Sequence, residues 1–126
     1  MQNNNSKPKI ELKRRVYLYA IAIIKFIDRL EKRDFSIEVI AKQLLRSATS
    51  IGANIIEAQA GSTRKDFTNF FAHALKSANE SRFWLGLLRD SGKAEKGDVG
   101  KLLQETTEIA NILGSSILTL KGRREI

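Results

Sequence analysis

Between residues 10 and 122 the apolar positions recur every three or four residues in four successive runs, each closed by a short polar joint. That spacing lays them along one face of an α-helix, and no run shows the strict alternation of a half-buried strand. The first run, from about Ile10 to Lys32, puts Val16, Ala20, Ile23, Ile27 and Leu30 on a core stripe. Tyr17, Ile21 and Ile24 form a second stripe beside it, and Tyr19 and Phe26 add further apolar surface seven residues apart. A helix this apolar around its circumference is expected to be central or covered by another subunit.

Arg33-Asp34-Phe35-Ser36 is the first joint, and Ser36 is the expected N-cap of a helix from about Ile37 to Ala58. Its inward positions are Ile37, Ile40, Ala41, Leu44, Ala48, Ile51 and Ile55, with Lys42 and Arg46 projecting outward. The second half is small in side chain: Ser47, Ala48, Ser50, Gly52 and Ala53. Glycine in a helix interior costs about 1 kcal/mol relative to alanine, so Gly52 implies close approach of a neighbouring helix, here expected between the second and third.

Ala58-Gln59-Ala60-Gly61 turns the corner, with Asn54 and Glu57 one turn apart just before it, placed to hold the turn. Thr63 then caps a third helix, with Asp66 three residues on, and the pattern continues to about Asp90. Phe67, Phe71, Ala74, Ala78, Leu85 and Leu88 share its inner face. Phe70, Ser77 and Trp84 make a second line at seven-residue spacing, which serves either a subunit interface or the bundle's own core. Asp98 is the expected cap of the last helix, with Leu102, Thr106, Ile109, Leu113, Ile117 and Leu120 inward and Gly122 at its end. Four helices with short joints predict an all-α, antiparallel up-down-up-down four-helix bundle over 10–122, with a disordered basic arm at 1–9 and a basic tail at 123–126.

Composition narrows the chemistry. The 126 residues include no cysteine, which removes disulfides and thiolate sites and suits a cytoplasmic setting. The apolar run Val16–Ile24 follows basic residues as in a signal peptide, but Lys25-Phe26-Ile27-Asp28-Arg29 offers no cleavage site, and no membrane span is expected. With one histidine, His73, no di-metal Glu-x-x-His set can be built, and His73 is expected at a surface or interface. No nucleophile elbow or phosphate loop occurs, so neither an enzyme nor a metal or other cofactor is expected.

The formal charge is +8, and nine basic against four acidic groups fall in residues 1–35. Such a balance favours polyanionic partners. Lys13, Arg14 and Arg15, together with Lys121, Arg123 and Arg124, are the candidate phosphate contacts. Tyr17, Ile21, Ile24, Phe70 and Trp84 are the candidate oligomer contacts.

One set of residues carries more than amphipathicity. Ser50-Ile51-Gly52-Ala53-Asn54-Ile55-Ile56-Glu57, then Arg64, Asp66 and Phe67, then Ala74-Leu75-Lys76-Ser77-Ala78-Asn79-Glu80, resembles the signature of the four-helix bundle proteins encoded in 23S rRNA intervening sequences. Accessory proteins of diversity-generating retroelements are related to that family. The resemblance spans about Tyr17 to Leu120 and singles out Ser50, Asn54, Glu57, Arg64 and Asp66 as structural motif residues. Ala58 and Lys76 stand where the family commonly has glycine. The resemblance implies an antiparallel bundle that assembles into a ring-like homopentamer. It further implies contact with nucleic acid, RNA or DNA, and, in the retroelement relatives, with a reverse transcriptase, through a basic surface.

Overall fold

The computed structural model describes residues 11–61 and 63–125, and the side chains of all of these except 123–125. The expected arm at 1–9 lies outside the described residues. Four helices follow one another: α1 (Leu12–Asp28), α2 (Phe35–Ala60), α3 (Arg64–Asp90) and α4 (Lys96–Glu125). Each packs on the next and α4 packs back on α1, with no diagonal packing among the described residues. That cyclic order is the up-down-up-down bundle that the spacing predicts.

Lengths differ, and the difference shapes the molecule. α1 has 17 residues against 26, 27 and 30 for α2, α3 and α4, so at 1.5 Å per residue it is roughly 15 Å shorter than its neighbours. It begins two residues later and ends four residues earlier than its apolar pattern suggests. α4 passes through Gly122 to Glu125 instead of ending there; a 30-residue helix absorbs one unfavourable glycine.

The core is a single cluster contributed by all four helices, centred on Ile23, Leu44, Ile51, Ile55, Leu85, Leu88, Ile109 and Leu113. On α1 the buried residues are Val16, Tyr19, Ile23 and Phe26, while Ala20, Ile27 and Leu30 are half-buried. Tyr19 and Phe26, expected as extra surface, therefore belong to the core, because α1 is turned toward α4 further than a stripe through Ala20 and Ile27 allows.

A chain of buried hydroxyls takes one residue from each helix. Thr106 on α4 donates to its own helix at Leu102 O (2.6 Å), so the 2.6 Å contact between Tyr19 and Thr106 is a donation from the phenol. Ser47 on α2 meets Ser81 on α3 at 2.8 Å, and Ser81 donates to Ser77 O. Burial pushes the Tyr19 phenol up to about 12, with the hydroxyls of Thr106 and Ser81 pulling the other way. Side-chain hydroxyls thus tie all four helices at one level.

The joints are capped differently from expectation. Asp34, not Ser36, caps α2, its carboxylate accepting from Ile37 N at 3.1 Å and from Lys93 Nζ at 2.6 Å. Glu95, not Asp98, caps α4, accepting from Gly97 N and Asp98 N at 3.0 and 2.9 Å. Thr63 caps α3 as expected, accepting from Asp66 N at 3.0 Å. α3 ends in a Schellman turn: Lys93 N donates to Leu88 O and Gly92 N to Arg89 O, and Gly92 sits at φ +73°, where a side chain is strained.

Candidate functional site

The small residues of α2 face two neighbours. A Cβ placed on Gly52 would lie 3.5 Å from Val16 Cγ2, so the close approach at Gly52 is to α1, not to α3 as expected. The α2 to α3 seam is instead a line of serines: Ser47 to Ser81 in the interior, then Ser50 and Ser77 nearer the surface.

Outside that seam lies an open groove of about 390 Å³ lined by Ser50, Asn54, His73, Lys76, Ser77 and Glu80. Ser77 Oγ donates to Ser50 Oγ at 3.1 Å, and Asn54 Nδ2 donates to Ser50 Oγ at 3.1 Å and to Ser50 O at 2.9 Å. Asn54 therefore bonds back along its own helix and does not reach the corner it was expected to hold. Glu80 Oε2 pairs with Arg46 and accepts from the Trp84 indole N–H at 3.1 Å. Of the remaining motif residues, Glu57 and Arg64 are exposed beside the corner and Asp66 is half-buried in the first turn of α3. Ser50, Asn54, Lys76, Ser77 and Glu80 all stood in the sequence pattern; His73 lies one helical turn from Lys76 and Ser77 and joins the same wall.

The candidate phosphate contacts divide into two groups. Lys13 and Arg14 are exposed at the start of α1. Arg15 is not available in the same way: its guanidinium bonds Glu105 at 2.7 and 2.8 Å and Glu108 at 2.5 Å, locking α1 to α4, and these hydrogen bonds raise its already high pKa further. Lys121 is exposed near the end of α4, while the side chains of Arg123 and Arg124 lie outside the described set. Because Arg15 stands level with Glu105 and Glu108, Lys121 sits on the order of 20 Å further along the bundle by the helical rise. The two basic ends do not form one patch.

The candidate oligomer contacts likewise divide. Arg15 and Tyr19 turn to α4 and Val16 to α2, which leaves Tyr17 and Ile24 on the outer flank of α1 nearest α2, 65% and 44% exposed. Ile21 beside them is half-buried. On the α1/α2 side, toward the end of the bundle with the Asp34 joint, is an apolar groove of about 220 Å³ that includes Ile27, Leu30, Ile37, Ala41 and Leu45. Phe70 and Trp84 are half-buried and packed against the core, and Trp84 borders the polar α2/α3 groove through its bond to Glu80. Exposed Ile56, Phe83 and Leu118 were not anticipated, since each falls outside a continuous stripe.

Among the described residues no group of three or more His, Asp or Glu is placed to hold a metal ion, and no helix is long and apolar enough to cross a membrane.

The family model described as 23S rRNA-intervening sequence protein matches residues 9–115. The chain belongs to this family. A crystal structure described as a protein with unknown function from the S23 ribosomal protein family of Bacteroides thetaiotaomicron is 38% identical, with a TM-score of 0.79 over 85% of this chain and 98% of that one. No curated protein matches the chain. The family match takes in α1, α2 and α3 and most of α4, so the polar α2/α3 groove and the start of α1 both lie within it, whereas Lys121, Arg123 and Arg124 fall beyond.

Proposed function

We propose that this member of the intervening-sequence family is a non-enzymatic homo-oligomeric bundle that binds nucleic acid, with RNA preferred, through electrostatic contacts. The observation that carries the reading is the excess of cations, +8 overall, with Lys13, Arg14 and Lys121 exposed. Lys7 and Lys9 precede the first two in sequence. Such contacts neutralise phosphates without reading bases, so the binding is tolerant of sequence and steeply salt-dependent. The family's name supplies the preference for RNA. Replacing Lys13, Arg14 and Lys121 by glutamate tests it: RNA affinity falls and the salt dependence flattens by about one unit of slope for each phosphate that is no longer neutralised. Unchanged affinity in that triple variant, with the assembly intact, overturns the reading.

The exposed apolar flank of α1 favours assembly above a dimer, and a pentameric ring is the form proposed, in the cytoplasm. The same flank supports a second reading, a scaffold that docks a protein such as a reverse transcriptase. The glutamate variant separates the two, because a scaffold keeps its protein partner when its cationic side chains are replaced.

A further inference from the structure

The polar groove between α2 and α3 has a hydrogen-bond inventory that does not close. Ser50 Oγ has two lone pairs and one proton. Ser77 Oγ and Asn54 Nδ2 each donate to it at 3.1 Å, which fills both lone pairs and leaves its own O–H to donate. No acceptor among the described residues takes that proton. Across the groove, Lys76 and His73 have no carboxylate partner among the described residues, while the one carboxylate in the wall, Glu80, is paired with Arg46 and bonded by the Trp84 indole. The groove therefore offers a hydroxyl donor, an ammonium and a ring N–H around a space of about 390 Å³, with its own negative charge already answered.

The geometry points to a phosphate-binding site in this groove, with Ser50 Oγ and Lys76 Nζ as the donors to the phosphate oxygens and His73 beside them. Asn54 and Ser77 act as positioning residues: by filling the lone pairs of Ser50 they turn its proton outward. The groove is open, which suits a phosphate carried on a strand as well as a free phosphate ester. The strand case rests on the nucleic-acid reading; the phosphate site itself does not.

The test has two arms on the full chain. Inorganic phosphate is titrated while the amide resonances of Ser50, Lys76 and Ser77 are followed, and a short single-stranded RNA is titrated by fluorescence anisotropy. Wild type is compared with Lys76→Gln, Ser50→Ala, the hydroxyl-restoring Ser50→Thr, and Arg14→Gln at the distant helix start. The site predicts phosphate shifts centred on the groove, about tenfold weaker phosphate binding for Lys76→Gln with its thermal midpoint unmoved, and about fivefold weaker for Ser50→Ala with recovery in Ser50→Thr. If RNA affinity falls with the phosphate affinity, the strand is the source; if only phosphate affinity falls, the site takes a free phosphate ester. Absence of groove shifts, with Arg14→Gln alone weakening RNA, overturns the site and leaves the nucleic-acid reading standing. Groove shifts in a protein that binds no RNA uphold the site and overturn that reading.

Discussion

Tyr19 and Thr106 set a directional bond at the centre of the bundle, and the direction makes the two partners unequal. Thr106 already gives its proton to Leu102 O, so Tyr19→Phe removes a donor and leaves only an acceptor lone pair unfilled, at a cost of about 1 kcal/mol. Thr106→Val strands the buried phenol proton instead and is expected to cost up to about 3 kcal/mol. Urea unfolding of the two variants checks the order. Gly52 predicts the opposite sign. Its absent Cβ would meet Val16 at ordinary van der Waals distance, so Gly52→Ala gains helix propensity without a clash and stabilises the fold by up to about 1 kcal/mol. Arg15 bears on function: Arg15→Gln is expected to speed amide hydrogen exchange at the start of α1 by unlocking it from Glu105 and Glu108. The same change has less effect on nucleic-acid affinity than Arg14→Gln, because the Arg15 charge is already answered.

At the scale of the elements, apolar spacing was enough to place all four helices, since each buries one face and that face repeats with the helical period. Thr63 was legible as a cap because its partner, Asp66 N, is three residues away. Asp34 offers the same local signal, its carboxylate reaching Ile37 N three residues on, but Ser36 competes for the cap, and the Lys93 bond that secures Asp34 comes from the other joint at the same end of the bundle and is brought there only by folding. Arg15 reads as one of three consecutive cations until α4 delivers Glu105 and Glu108. The groove was half legible: the motif named Ser50, Asn54, Lys76, Ser77 and Glu80, yet nothing in their spacing told that α2 and α3 would bring them into one groove with His73. Asp34 yields a pH prediction. The Lys93 hydrogen bond, and then that of Ile37 N, hold its carboxyl below the usual carboxylate range. Its contribution to stability is thus present above the unfolded-state value near 4 and is lost as the pH falls through the lower folded value. Thermal melts between pH 5 and 3 should show a shallower acid loss in Asp34→Ala than in wild type.

For the whole molecule, α1 is the element that matters most, being short, exposed on its flank and basic at its start. Tyr17 and Ile24 lie out in solvent on the α2 side, and an isolated bundle has no interior use for them. The proposed assembly above a dimer rests on that flank, and light scattering of the wild-type chain should give a mass near five times 14.2 kDa, whereas a clean monomer contradicts the assembly. Cations are spread between the start of α1, the groove and the end of α4, so the nucleic-acid strand proposed above would have several separate places to meet the protein. The most direct measurement is the affinity of the wild-type chain for a short RNA across a salt series from about 50 to 200 mM. Electrostatic binding predicts a logarithmic affinity that falls linearly with the logarithm of salt, with a slope of several units. An affinity that stays flat across that series contradicts the account.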